Sequence, residues 1–244
     1  MVKYIRYFFG KIQSLLYVPL VLPDYFRFKK KSDSRFNIRL SDLYPCVGEN
    51  TGNTSFDRHY TYHTAWAARK VKEIQPEYHT DISSSLYFSS IVSAFVPVKF
   101  YDYRPAKLGL SGLESGKADL LALPFETGSI QSLSCMHVVE HVGLGRYGDP
   151  INPQGDKEAA QELSRVISSG GNLLFVVPVG IPRIQFNAHR IYSYEQVIAL
   201  FPDLKLKEFS LIPQYEKNGG LIMNADSHLV EKEQFACGCF WFQK

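Results

Sequence analysis

The run DKEAAQELSRVISSGGNLLFVVPVG, Asp156 to Gly180, decides the fold. Its first half has helical spacing. Ala159, Leu163, Val166 and Ile167 fall on one face, and Gly170 and Gly171 read as the stop. Its second half, NLLFVVPV, is apolar without alternation, as expected of a strand covered on both faces. The flanking sequence repeats the unit. Upstream lie a helix over DRHYTYHTAWAARKVKEI with Asp57 as its cap, a strand at YHTDI, a helix at YFSSIVSAF ending before Pro97, and strands at VKFYDY, KADLLAL and IQSLSCMHV. Downstream come the helix SYEQVIALF, capped by Ser193, and two late strands, LKLKEFSLI and FACGCFWFQ, joined by a loop around Gly219 and Gly220. This alternation predicts an α/β fold: a doubly wound, mostly parallel sheet with helices on both faces. Such sheets bind ligands outside the carboxyl ends of their strands, where the strand order reverses.

The 244 residues are 45% apolar and 14% aromatic, enough for a full core. A net charge of +3 is too mild for a nucleic-acid partner. The four cysteines, Cys46, Cys135, Cys237 and Cys239, fit no disulfide framework and point to a reduced, cytoplasmic protein. Cys237 and Cys239 would share one side of a strand. Residues 1–55 read as an N-terminal accessory segment rich in turns, and residues 56–244 as the α/β domain. The apolar run Leu15 to Leu22 contains Pro19 and is too short to span a bilayer. No small-residue cleavage pattern follows it, which argues against a signal peptide. The basic aromatic segment over residues 1–30 suits either a peripheral membrane contact or packing against a subunit.

The stretch EYHTDISSSLYF, Glu77 to Phe88, places Asp81 and three serines at a strand-to-helix junction. Serines cap helices; the same residues also suit the mouth of a cofactor site. Asp81 ends the first strand and Asp102 the second, 21 residues on, the spacing of a ribose-binding carboxylate. Asp119 lies near the third strand. Ribose hydroxyls and an exocyclic amine are donors that carboxylates accept, so three acids in register suit a nucleoside.

DLLALPFETGSI, CMHVVEHV and KEAAQELSRVISSGG together resemble the middle of class I S-adenosylmethionine-dependent methyltransferases. More narrowly, MHVVEHVGLGRYGDP with QFNAHRIYSYEQV resembles domain-of-unknown-function family 268, common near bacterial surface-polysaccharide genes. The resemblance implies a seven-stranded Rossmann-like sheet with an antiparallel C-terminal strand and S-adenosylmethionine as cofactor. It implies that Asp81, Ser83 and Ser85 stand at the methionine end, that Asp102 holds the ribose, and that Asp119 with the Leu120 amide reads the adenine. His137, with His141 or His189 behind it, would serve the transfer as base, and Glu140 would orient a histidine or cap the next turn. The chain departs from the superfamily at its first turn, where acid–x–Gly–x–Gly–x–Gly is replaced by Asp81-Ile-Ser-Ser-Ser-Leu-Tyr.

Two loops are candidates for substrate. NAHRIYS carries His189, Arg190 and Tyr192, and GLGRYGDP carries Arg146 and Asp149. Arg190 would grip a phosphate or carboxylate, or else pair with a structural acid. The implied activity is methyl transfer to a glycan, nucleotide sugar or related polysaccharide precursor. The alternative is a catalytically silent domain that binds a nucleotide sugar or a partner protein. A third reading takes HVVEH, His137 to His141, as the H-x-x-E-H signature of a zinc hydrolase, although GLGRYGDP leaves little room for its helix. The i, i+4 pair His59 and His63 shows no third ligand in the sequence, so no metal is assigned.

Overall fold

A computed structural model describes residues 2–33 and 35–244, with the backbone alone for residues 2–15. The chain divides into two compact units, Met1–Ser55 and Phe56–Lys244. The first holds one long helix, α1 (Val2–Lys31), with Pro19 and Pro23 inside it. The sequence reading had no helix there. Among the described residues, no helix is long and apolar enough to cross a membrane.

The second unit begins with α2 (Arg58–Ile74), β1 (His79–Ile82), α3 (Leu86–Val92), β2 (Val98–Asp102), β3 (Leu113–Lys117) and β4 (Ile130–Met136). It continues with α4 (Gly155–Val166), β5 (Ile167–Val179), the hairpin β6 (Arg183–Gln185) and β7 (His189–Ile191), α5 (Tyr194–Leu200), β8 (Lys205–Ile212) and β9 (Ala236–Gln243). Seven strands form one sheet in the order β3-β2-β1-β4-β5-β9-β8. Its pairings are parallel except for β9, which runs antiparallel to both β5 and β8. The order reverses between β1 and β4, so the switch point lies over their carboxyl ends.

β5 is apolar without alternation because each face has its own core. Leu173, Phe175, Val177 and Val179 enter one cluster with Ala159, Leu163 and Val166 of α4. Leu174 and Val176 enter another with Trp66, Ala67 and Val71 of α2 and Phe88 of α3. β9 divides the same way: Phe240 and Phe242 go to the first core, Cys237 and Cys239 to the second. The two cysteines therefore share a face and are buried. α2 opens where Asp57 accepts the Tyr60 amide at 3.0 Å, and Ser193 with Gln196 builds a full capping box on α5.

Two boundaries differ from the sequence reading. α4 passes straight into β5 at Ile167, whose buried side chain pulls the backbone into the extended region (φ −70°, ψ 130°). Gly170 and Gly171 therefore lie inside the strand and do not stop the helix. KADLLAL is not a strand. The third strand is the more polar LESGK, Leu113–Lys117, an edge strand with Glu114, Ser115 and Lys117 exposed, and Asp119 sits in the turn after it.

Candidate active site

Asp81 answers the question raised by the serine stretch. Its carboxylate is fully buried. It accepts the hydroxyl of Ser134, the hydroxyl of Ser89 at 3.0 Å and the amide of Ser84 at 3.3 Å. The Ser84 hydroxyl in turn accepts the Met136 amide at 3.0 Å. Ser85 occupies the N-cap position of α3 but makes no capping bond. Thus Ser84 and Ser89, with Ser134 of β4, satisfy a buried acid, and neither Asp81 nor Ser85 reaches the cleft beside them. The expectation of three carboxylates converging on a ligand is corrected to two.

That cleft has a volume of about 290 Å³, at the lower end for a small-molecule site, and is lined by Ser83, Asp102, Asp119, Leu120, His137, His141 and Tyr147 among others. Asp102 and Asp119 each spend one oxygen on the backbone N–H two residues on, Arg104 at 2.6 Å and Leu121 at 3.0 Å. Their other oxygens meet no protein donor among the described residues. Ser83 takes φ +57°, a conformation glycine adopts at no steric cost. Serine here keeps the backbone turn that the usual glycine allows, and its amide donates to the Tyr101 carbonyl at 2.7 Å.

A second cleft, of about 460 Å³, is lined by Phe56, Arg58, His59, Tyr60, Glu140, Arg146, His189 and Phe235. His137, His141 and Tyr147 line both clefts. His137 closes β4 in the left-handed region at φ +56°, and its amide donates to the Val176 carbonyl at 2.8 Å. Its Nδ1–H donates to Glu140 at 2.9 Å. Nε2 then faces the Cys237 sulfur at 3.4 Å; burial holds that thiol well above its usual range and so neutral.

His141 is placed differently. Its Nδ1–H donates to the Ala188 carbonyl at 2.6 Å. Arg146 donates to the same carbonyl at 3.0 Å, so the 3.3 Å approach of Arg146 to His141 Nδ1 joins two donors and is no bond. The Nε2 lone pair of His141 meets no hydrogen-bond donor among the described residues, and Glu140 lies 3.8 Å from it. Burial lowers the pKa of His189, and burial with the neighbouring His137 lowers that of His59 to about 4.

The loop between these histidines is held by Asp149, which accepts the amides of Gly143, Tyr147 and Gly145 at 2.8, 3.1 and 3.3 Å. Gly143 sits at φ +79° against the Asn152 backbone, where a Cβ has no room.

Arg190 and Tyr192, read from the sequence as facing substrate, are buried. The Arg190 guanidinium donates to the Val142 carbonyl at 2.6 Å and lies 3.7 Å from Asp156, which also accepts the Tyr192 hydroxyl at 3.2 Å. Arg190 therefore fastens the β7 segment beneath the loop that Asp149 holds. Arg190→Ala is expected to lower folding stability by about 2 kcal/mol, read from urea unfolding, with substrate affinity unchanged in the protein that remains folded. The zinc-hydrolase reading of HVVEH also fails. That chemistry needs both histidines on one helix, whereas Val139–His141 is a single 3-10 turn and His137 precedes it in the left-handed region.

The family model described as "Caenorhabditis protein of unknown function, DUF268" matches residues 126–236. No curated protein matches the chain. Solved structures do. The YcgJ protein of Bacillus subtilis is 13% identical, with a TM-score of 0.53 over 75% of this chain and 98% of that one. The Burkholderia thailandensis 1,6-didemethyltoxoflavin-N1-methyltransferase, solved with 1,6-didemethyltoxoflavin and S-adenosylhomocysteine, is 8% identical, with a TM-score of 0.53 over 75% and 78%. A complex of the Haloferax volcanii Trm112 methyltransferase activator with a candidate methyltransferase gives 16%, 0.52, 77% and 90%. The sheet order and its antiparallel C-terminal strand make this a class I methyltransferase-like fold.

Proposed function

We propose that the chain is an S-adenosylmethionine-dependent methyltransferase whose acceptor is a glycan, a nucleotide sugar or a related polysaccharide precursor. The observation that carries this reading is the meeting of two clefts at His137 and His141. One carries two carboxylates with unspent oxygens at the sheet's switch point, which suits a nucleoside. The other carries Tyr60 and Tyr147, whose faces suit a sugar ring, with Arg58 and Arg146 to meet phosphate.

S-adenosylmethionine supplies a methyl group activated on a sulfonium. Asp102 would accept from the ribose hydroxyls, Asp119 would accept from the adenine amine, and the Leu120 amide would donate to the adenine ring. Ser83 holds the turn under the methionine end. The two clefts align acceptor and donor for an in-line displacement. His141 Nε2 would take the acceptor proton, while the sulfonium sulfur would keep the electron pair of its broken S–C bond and leave as a neutral thioether. His141 fits this task better than His137, whose Nε2 already faces Cys237.

Titration calorimetry with S-adenosylmethionine and S-adenosylhomocysteine tests the reading. The unaltered protein is expected to bind both, and Asp102→Ala to weaken binding by about 10–100-fold, the worth of a hydrogen bond to a charged group. Absence of binding by the unaltered protein overturns it. The second reading, a silent domain that binds a nucleotide sugar, is favoured by one observation: the Ser83 side chain narrows the first cleft where glycine would leave it open. Binding of a nucleoside diphosphate sugar without S-adenosylmethionine would select it.

A further inference from the structure

We propose that His59, His137 and Cys237 form a zinc(II) site at the wall of the second cleft. The three residues come from separate elements: the first turn of α2, the end of β4 and the start of β9. Their donor atoms lie within 4.8 Å of one another. His137 Nε2 and Cys237 Sγ are 3.4 Å apart. Zn–N and Zn–S bonds at a tetrahedral angle place such donors about 3.6 Å apart, so one edge of the tetrahedron is already formed. Turning the half-buried His59 ring closes the rest.

The surroundings are those of a metal ligand. Glu140, itself 1% exposed, holds the Nδ1–H of His137 and leaves Nε2 as the donor. This is the carboxylate–histidine support common behind zinc. Neither ring nitrogen of His59 has a protein hydrogen-bond partner among the described residues, and its ring stacks on that of His137 with centroids 6.0 Å apart. A third imidazole adds an independent observation. His63 is fully buried and donates from Nδ1 to the His59 carbonyl at 2.6 Å. Its Nε2 lone pair has no partner among the described residues, and the ring packs edge-on against His137 at 4.9 Å. A lone pair orphaned in this way has lost its hydration with nothing in return, a deficit that a nearby cation offsets.

Two imidazoles and one thiolate select a borderline-soft ion over magnesium or calcium. Three protein ligands leave a fourth position open, as in catalytic zinc sites. That position faces the cleft lined by Tyr60, Arg146 and His189, where water or an acceptor oxygen completes the tetrahedron. Metal entry displaces the Cys237 thiol proton to solvent. The site itself does not depend on methyl transfer.

The purified full chain, stripped with chelator and dialysed against zinc(II), is expected to retain one zinc per chain by elemental analysis. Removal of a supporting carboxylate costs metal sites about 10–100-fold in affinity. Glu140→Gln should lose that much, and His59→Ala or Cys237→Ser at least about 100-fold. Substitution with cobalt(II) should give a thiolate charge-transfer band that Cys237→Ser abolishes. Cys46→Ser, which removes the exposed cysteine, should change nothing. His59→Ala lies at the half-buried edge and serves where Cys237→Ser fails to fold. Failure of the unaltered protein to retain zinc overturns the proposal, as does full retention by folded His59→Ala. Either result leaves the calorimetric test of the donor cleft standing.

Discussion

Glu208→Ala is expected to cost about 3–5 kcal/mol of folding stability, the price of breaking a buried ion pair from one side. Glu208 lies on β8 and is 9% exposed. Its carboxylate accepts from Lys70 at 2.6 Å, from the Trp66 indole at 2.9 Å and from the Ser210 hydroxyl at 2.9 Å. Alanine strands Lys70, which keeps only the half-exposed Glu73 at 3.0 Å, and leaves the buried Trp66 N–H unpaired. Urea unfolding monitored by tryptophan fluorescence measures the loss. Glu208→Gln should cost less, because its carbonyl still accepts from Trp66 or Ser210. Lys70→Met in the Glu208→Leu background should recover much of the deficit, since the uncompensated charge is then gone. Equal losses in Glu208→Ala and the double variant would show that the charge is immaterial. α2 carries His59 and Tyr60, so this anchor also sets the wall of the second cleft.

Asp81→Asn should remove a pH dependence of stability. Burial raises the Asp81 pKa from 3.8 to about 6, against the lowering effect of Ser134, Ser84 and Ser89. An acid with a raised folded pKa binds its proton more tightly in the fold than in the unfolded chain. Its stabilising contribution is therefore full below about pH 4 and is lost as pH rises through 6. A shift of this size corresponds to about 3 kcal/mol. Unfolding free energies of the unaltered protein should carry that decline between pH 4 and 6, and those of Asp81→Asn should not.

The substitution has a second readout. With a carboxylate at 81, the Ser134 hydroxyl donates to it, so His79 must donate from Nε2 to Ser134 and accept at Nδ1 from Ser132. An asparagine amide in that place donates to Ser134, whose hydroxyl turns to His79. The chain of bonds reverses and the ring proton moves to Nδ1. His79 stays neutral throughout, because burial alone lowers its pKa to about 3. Nitrogen-15 shifts of the ring distinguish the two tautomers, and an unchanged tautomer would refute the reversal.

The elements that could be read from the chain are those whose signal is local. The Asp57 cap, the Ser193 capping box and the unbroken apolar run of β5 each report their own backbone or their own burial. β3 could not be read. An edge strand pairs on one side, and its polar residues face water, so it has no apolar period. Side-chain destinations were harder still, because they depend on distant partners. Asp81 looks like a ligand-facing acid until Ser134, 53 residues later, claims its carboxylate. Arg190 looks like a phosphate grip until Asp156 and the Val142 carbonyl appear beneath it. His137 meets Cys237 across 100 residues, which is why HVVEH pointed to a helix that does not form. Asp102 ends β2 as strand counting places it, whereas Asp119, expected at a strand over KADLLAL, sits in the turn after β3; both line the first cleft.

The placement of β9 between β5 and β8 constrains the order in which the sheet is assembled. β8 emerges from the ribosome first, yet bonds only to the short stretch at Ile222 and Ala225 until the following strand arrives and slots in between. For that interval its other edge stands unpaired beside Phe209, Leu211 and Ile212, the kind of edge that nascent chains aggregate through. The closing hairpin is therefore the step at which a chaperone has most to protect.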